Sequence, residues 1–209
     1  MSKTSITPRK LPSQKRSRET VERIMSATVS LLEEIGIEGV TAINVAKKAG
    51  VNVASFYQYF PNKNAVIFAV FQSWLDWVMT VFDSVEETYL LKISWPDFMI
   101  KLGYSIFKSS FISDKAAAEL LRIMEMSPEL KEMNEKHGAF VVARLAEYLK
   151  KYGSKWSDED LRDMATFLFY SSNSLFRNAA EQDEKKKQLF MEWSGDILLT
   201  LTGRCFEKE

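Results

Sequence analysis

Small and polar residues between positions 52 and 63 have side chains suited to contacting DNA. The Gln58 amide can offer a hydrogen-bond donor and an acceptor to adenine, whereas Val53 and Ala54 can only pack against thymine methyl groups. Three further side chains can donate hydrogen bonds to phosphate oxygens: Tyr57, Tyr59 and Lys63. The residue types therefore suit contact with both the base edges and the backbone of a duplex.

Two short helices separated by a glycine turn are predicted to position these side chains. Thr41 is a suitable N-cap for a helix over 42–49, and Asn52 for a second helix over 53–60. Gly50 breaks the first helix because it tolerates a backbone angle that strains other residues. We expect Val45, Val51 and Phe56 to pack the pair together, with Ile43 and Ala46 also directed inward. This arrangement is a helix-turn-helix, whose second helix enters the DNA major groove.

The predicted DNA contacts extend beyond that second helix. Thr41 and the first backbone amides of its helix can bind a phosphate, since helix N-termini attract anions. Lys47 and Lys48 add positive charge. The complete predicted set is Thr41, Lys47, Lys48, Asn52, Val53, Ala54, Ser55, Tyr57, Gln58, Tyr59 and Lys63. The alternatives are a helical hairpin inside a core or a surface for a protein partner, because tyrosine-rich helices also occur at protein interfaces.

The distribution of charge agrees with a polyanion partner at one end. Lysine and arginine total 28, as do aspartate and glutamate, but residues 1–64 hold ten basic and five acidic residues. A basic end on an acidic body is typical of nucleic-acid binding, although chance clustering of solvated charges is the alternative. Residues 1–18 hold six basic residues and no acidic ones, which predicts a flexible basic arm.

Apolar spacing of three and four residues predicts helices along the rest of the chain, and no stretch alternates as a strand does. The fold class is therefore all-α, with about nine helices. The predicted domains are an arm over 1–18, a three-helix DNA-binding domain over 19–63, and a helical ligand-binding and dimerisation domain over 64–209. We expect the first helix to begin near residue 19 and to end at Gly36, with the left-handed conformation of a helix cap.

From about residue 16 to 75, the sequence resembles the TetR family of bacterial regulators. The resemblance rests on Gly36, Gly39-Val40-Thr41, the segment 45–51, and Ser55-Phe56-Tyr57-Gln58-Tyr59-Phe60 followed by Pro61-Asn62-Lys63. Two positions depart from the family pattern, which often has leucine at Phe56 and glycine near Ala54. Phe56 keeps the apolar character, while Ala54 puts one base contact in doubt.

The resemblance also implies properties that the residues alone do not. It implies a homodimer whose last two helices, about 158–180 and 183–202, form a four-helix bundle with their copies. It further implies repression relieved by a ligand that binds in the C-terminal body. A dimer with two recognition helices about one DNA turn apart would bind a pseudo-palindromic operator. An activator on the same fold, or a helical adaptor that does not bind DNA, remains an alternative.

Large apolar residues in the C-terminal body could accept a small, hydrophobic effector, although apolar residues at helical spacing more often form core. Arg144 and Asn173 are polar residues within apolar stretches and could orient such a ligand. The predicted pocket residues are Phe107, Phe111, Met124, Phe140, Arg144, Tyr170 and Asn173. His137 is the only histidine; it lies among charged residues, and we expect it to be a solvated surface residue.

Several other classes of protein are not expected. One histidine and one cysteine, Cys205, exclude most nucleophile–base pairs, and the sequence has no phosphate-binding or dinucleotide motif, so we expect no enzyme, cofactor or metal. The apolar runs are shorter than the roughly 18 residues of a membrane span, and the N-terminus does not resemble a secretory signal. A lone cysteine agrees with a cytoplasmic protein.

Overall fold

The computed structural model describes residues 15–108 and 112–207, and within these ranges the chain is helical with no strand. This confirms the predicted all-α class. In the part of the chain that the structure describes, nine α-helices and a final 3-10 helix over Arg204–Phe206 follow in order. The helices are α1 Lys15–Gly39, α2 Ala42–Ala49, α3 Val53–Tyr59, α4 Lys63–Tyr89, α5 Trp95–Lys108, α6 Asp114–Met126, α7 Pro128–Lys151, α8 Asp158–Ala180 and α9 Glu184–Gly203.

Side-chain caps fix the starts of several helices. The Ser157 hydroxyl accepts from the backbone N–H of Asp160 at 3.1 Å and donates to the Asp160 carboxylate at 2.5 Å, at the predicted start of α8. The Asp183 carboxylate accepts from the backbone N–H of Lys186 at 2.9 Å and begins α9 in the same way. Such caps satisfy N–H groups that have no acceptor within the helix.

Helix α1 differs from its prediction at both ends. It begins at Lys15, so residues 15–18 of the predicted arm are helical, and residues 1–14 of that arm lie outside the described residues. Gly36 has the expected positive φ of 70°, but its ψ of −171° is extended rather than left-handed helical. The chain therefore kinks at Gly36 and makes another helical turn through Gly39.

The chain divides into two compact units, and the first contains the predicted helix-turn-helix. It comprises residues up to Trp74 and then Ile112–Leu130, so that α6 joins α1, α2, α3 and the start of α4. Helix α1 contacts both α2 and α6. The core of this unit includes the fully buried side chains of Ile24, Leu32, Val40, Phe56, Phe60, Phe71 and Leu120.

The second unit comprises Leu75–Phe111 and Lys131–Glu209. Its larger core cluster joins residues of α4, α5, α7 and α8, among them Phe82, Phe98, Leu145, Tyr148 and Phe169. A smaller cluster includes Leu149, Leu161 and the buried Cys205. Burial raises the pKa of the Cys205 thiol to about 11, which keeps it protonated and unreactive.

Helix α4 contributes residues to both units and is strongly apolar. Among the helices of residues 15–108 and 112–207, it alone is long and apolar enough by composition to cross a membrane. Half of its most apolar window is buried, however. Val66, Val70 and Phe71 are core residues of the first unit, and Val78 and Phe82 of the second, which is the pattern of a core helix.

Candidate functional site

The predicted helix-turn-helix forms through local hydrogen bonds of the expected kind. The Thr41 hydroxyl accepts from the backbone N–H of Asn44 at 3.1 Å and begins α2. Gly50 ends α2 in the left-handed conformation, with φ 64° and ψ 37°, and the backbone N–H of Val51 donates to the Ala46 carbonyl at 3.0 Å. The Asn52 side chain then accepts from the backbone N–H of Ser55 at 2.6 Å and begins α3.

Packing fixes which face of each short helix is exposed. Val45, Ala46 and Ala49 are buried on α2, and Phe56 is the buried residue of α3. The prediction that Ile43 faces inward is wrong, because its side chain is 67% exposed. Two residues span about 200° of an α-helix, so burying the face that carries Val45 and Ala49 turns Ile43 towards solvent.

Most of the predicted DNA contacts lie on exposed surface of this motif. The exposed members are Lys47, Lys48, Asn52, Val53, Ala54, Tyr57 and Gln58. Four members are half-buried: Thr41, Ser55, Tyr59 and Lys63. Because Phe56 anchors the opposite side of α3, the N-terminal residues of that helix and Gln58 are accessible together.

Lys48 has a partner that the sequence did not predict. Its ammonium group donates to both carboxylate oxygens of Glu34 on α1, at 2.6 and 2.8 Å. Both side chains remain partly exposed, so this ion pair contributes only about 0.2–1 kcal/mol to stability. For the predicted DNA contacts, the ion pair matters because the Glu34 carboxylate offsets the positive charge of Lys48.

Sequence reasoning missed two basic residues of α1. Arg16 and Arg23 line a groove together with Asn52, Gln58 and Tyr59, on the side of the unit where α3 is exposed. Both arginines are exposed. The sequence predicts an arm over residues 1–18, whereas the structure places Arg16 in α1, where the spacing of seven residues puts it on the same helix face as Arg23.

The structure gives the predicted ligand residues of the C-terminal body different surroundings. Met124 belongs to the first unit with α6, and Phe111 lies outside the described residues. Phe140 and Tyr170 are 67% and 54% exposed. Phe107 stacks on Phe176 with ring centroids 5.3 Å apart, and Asn173 is half-buried. The pocket stays a prediction for these residues.

Arg144 forms an ionic network between α4 and α7. Its guanidinium donates to the Asp83 carboxylate at 2.5 Å and also to Glu86, and its Nε donates to the Tyr148 hydroxyl at 3.0 Å. The Tyr148 hydroxyl donates to Glu86 at 2.7 Å. Hydrogen bonds from Tyr148 and then from Arg144 lower the pKa of Glu86 below its usual range. These contacts fix α7 against α4.

His137 is not the solvated surface residue that its charged neighbours predicted. It is half-buried, and its ring lies 6.3 Å from the Phe169 ring, measured between centroids. Burial lowers the pKa of His137 to about 4, although the Asp76 carboxylate acts in the opposite direction. The imidazole is therefore neutral at pH 7. One turn earlier on the same face of α7, Asn134 is 5% exposed.

Comparison with known proteins finds a family match for the N-terminal part of this chain. Residues 24–70 match the family described as bacterial regulatory proteins, tetR family. A relative from Mycolicibacterium smegmatis, the HTH-type transcriptional regulator EthR, is 32% identical over 128 residues, which is 60% of this chain and 58% of EthR. The chain thus covers less than two thirds of that relative's length. A Staphylococcus aureus HTH-type transcriptional regulator is 28% identical over 75 residues, covering 36% of this chain and 40% of its own.

Solved structures share the fold over most of the chain. A transcriptional regulator from Rhodococcus sp. Rha1 has a TM-score of 0.73 at 18% identity, covering 87% of this chain and 95% of its own. The multidrug binding protein EbrR, solved in complex with malachite green, has a TM-score of 0.63 at 16% identity. The match covers 87% of this chain and 96% of EbrR. At these identities the likeness concerns the fold alone. Residues 24–70, which contain the helix-turn-helix, are the part of the chain that matches the TetR family of bacterial regulatory proteins.

Proposed function

We propose that this protein is a transcriptional regulator that binds a pseudo-palindromic DNA operator as a homodimer. The observation that carries the proposal is the exposed N-terminal part of α3, held by the Asn52 cap and the buried Phe56. Asn52, Val53, Ala54 and Gln58 would face base edges in the major groove. Tyr57, Tyr59, Lys63 and the N-terminus of α2 would contact phosphates. Such a regulator acts in the bacterial cytoplasm.

The second unit offers a surface for the homodimer. Leu189, Trp193 and Ile197 recur at four-residue spacing on α9 and are 39%, 53% and 44% exposed, and Phe167 and Tyr170 on α8 are also more than half exposed. Large exposed apolar groups at helical spacing favour burial against a second copy of the same helices. Pairing of α8 and α9 with their copies would give the four-helix bundle that the family resemblance implies.

We further propose that the protein is a repressor released by a small hydrophobic effector bound in the second unit. The fold is shared with the multidrug binding protein EbrR, which was solved in complex with malachite green. In this chain, Asn134 and His137 are polar residues on the inner side of α7 beside the aromatic Phe169. The neutral imidazole would suit an uncharged or weakly polar ligand. Release requires only that the effector binds the DNA-free state more tightly.

Selection from a random double-stranded DNA library tests this function. We expect wild-type protein to enrich an inverted repeat whose half-sites lie about one helical turn apart, 10–11 base pairs between centres. The double variant Tyr57→Ala, Lys63→Ala should enrich no sequence, because it lacks two phosphate contacts on the DNA-facing side. Folding and oligomeric state of both proteins are checked by circular dichroism and sedimentation.

A folded wild-type protein that enriches nothing at low salt would contradict the proposal and favour a helical adaptor. Enrichment of a single asymmetric half-site would leave DNA binding in place and contradict the homodimer.

A further inference from the structure

Helix α6 contacts the end of α1, although the predicted DNA-binding domain over 19–63 does not include α6. The Glu119 carboxylate of α6 accepts a hydrogen bond from the backbone N–H of Ile37 at 3.1 Å. The two residues are 82 positions apart in sequence, and both belong to the first unit. Helix α6 therefore contributes a specific polar contact to the unit that carries α2 and α3.

The local backbone explains why Ile37 needs this acceptor. Gly36, with φ 70° and ψ −171°, interrupts α1, and a new helical turn begins at Ile37. The first N–H groups of a helical turn have no acceptor within it, and a carboxylate at that end is favoured by the helix dipole. The Glu119 side chain is only 13% exposed, so this hydrogen bond is largely shielded from solvent.

The second carboxylate oxygen of Glu119 has a separate partner. Oε2 lies 3.5 Å from the Arg122 guanidinium, one turn further along α6, whereas Oε1 accepts from Ile37. Arg122 is 54% exposed, so the ion pair lies at the surface. A β-carbon at Gly36 would stand 3.2 Å from Oε1, which shows how closely the carboxylate approaches the kink.

Hydrogen bonds continue from this turn to the beginning of α2. The Ile37 carbonyl accepts from the backbone N–H of Val40, whose side chain is fully buried. The Gly39 carbonyl accepts from the backbone N–H of Thr41 and from the Asn44 side-chain amide at 3.0 Å. A displacement of the turn at Ile37 would therefore displace the Thr41 cap and the N-terminus of α2.

We propose that Glu119 is a positioning residue for DNA binding: its hydrogen bond to Ile37 fixes the α1–α2 turn so that the N-terminus of α2 meets a DNA phosphate. The inference rests on the proposed function, because the phosphate contact of Thr41 belongs to it. Helix α6 then takes part in DNA binding without contributing a residue that touches DNA.

A pair of variants of similar shape tests the role of the acceptor. Glu119→Met keeps the length of the side chain and removes both oxygens, whereas Glu119→Gln keeps an oxygen that can accept from Ile37. Arg122→Ala removes the ion pair and leaves both carboxylate oxygens of Glu119 in place. Each full-length variant is titrated by fluorescence anisotropy with the inverted repeat that the wild type selects, after its melting temperature and dimeric state have been measured.

We expect Glu119→Met to weaken DNA binding about tenfold, the loss typical of one charge-assisted hydrogen bond. Glu119→Gln and Arg122→Ala should stay within about threefold of the wild type because the bond to Ile37 remains. A second titration uses DNA in which the phosphate facing Thr41 is a neutral methylphosphonate. That change should weaken the wild type and have little further effect on Glu119→Met.

The outcomes separate the inference from the proposed function. If Glu119→Met binds DNA as tightly as the wild type, or if Glu119→Gln and Glu119→Met weaken binding equally, the inference is overturned while DNA binding stands. If the methylphosphonate weakens DNA binding by the same factor in the wild type and in Glu119→Met, the inference is also overturned, because Glu119 would then act only through stability. If the wild type itself binds no DNA, the proposed function fails first.

Discussion

The helix-turn-helix of the first unit and the α7–α8 pair of the second unit both expose aromatic side chains, but they differ in how their shape is specified. In the first, Thr41, Gly50 and Asn52 fix helix ends within a dozen residues, and Phe56 fixes the buried face. In the second, the orientation of α7 depends on contacts with distant positions, such as the network that joins Arg144 to Asp83 and Glu86 of α4. Local signals therefore define the first region, and long-range packing defines the second.

Replacing one phenylalanine by alanine in each region tests this comparison, and the largest expected effect is in the first region. Phe56 is fully buried, so Phe56→Ala should lower the free energy of unfolding by about 3–5 kcal/mol. Phe140 on α7 is 67% exposed, and Phe140→Ala should change it by less than about 0.5 kcal/mol. Urea denaturation followed by circular dichroism measures both.

Equal losses from the two phenylalanine variants would break the comparison. They would mean that the Phe140 side chain is covered in solution, by a ligand or a second copy. DNA binding provides a further distinction, because Phe56→Ala should abolish it while Phe140→Ala should leave it intact.

Acidification should lower the free energy of unfolding because His137 is partly buried. This effect should be smaller than that of Phe56→Ala. Burial lowers the pKa of His137 to about 4 in the folded protein, below its usual value of 6.5. Between these values the unfolded chain binds the proton and the folded one does not, so this contribution to stability is lost as pH falls from about 7 towards 4. At pH 5 the loss amounts to about 2 kcal/mol.

The variant His137→Asn removes this group and should make the pH dependence of unfolding flatter. The free energy of unfolding is measured at pH 7 and pH 5 for both proteins. If the wild type and His137→Asn lose the same stability on acidification, His137 is solvated, as its charged sequence neighbours first indicated.

The sequence predicted the helix-turn-helix well because its determinants are close together. The caps at Thr41 and Asn52, the glycine at position 50 and the buried Phe56 are all as expected. The apolar character of Ile43 predicts burial, whereas the burial of Val45 and Ala49 requires Ile43 to face outward. Residues 15–18 were assigned to the arm because the apolar stripe begins only after them.

The polar residues of the second unit could not be placed from sequence. Arg144 lies among apolar neighbours along the chain, yet its partners are acids of α4. His137 lies among charged neighbours, yet it faces Phe169 of α8. The contact between Glu119 and Ile37 spans 82 residues and involves a backbone group, so no side-chain pattern could indicate it. In each case the rotation of one helix against another decides the partner.

The most direct test of the central claim, that α3 contacts bases in the major groove, is DNA selection with Gln58→Ala. Gln58 is exposed on α3, and loss of one amide contact to a base should cost about 1–3 kcal/mol of discrimination at that base pair. We predict that the variant still enriches an inverted repeat, with preference lost at one position in each half-site, placed symmetrically. An unchanged sequence preference at every position would contradict this account of α3.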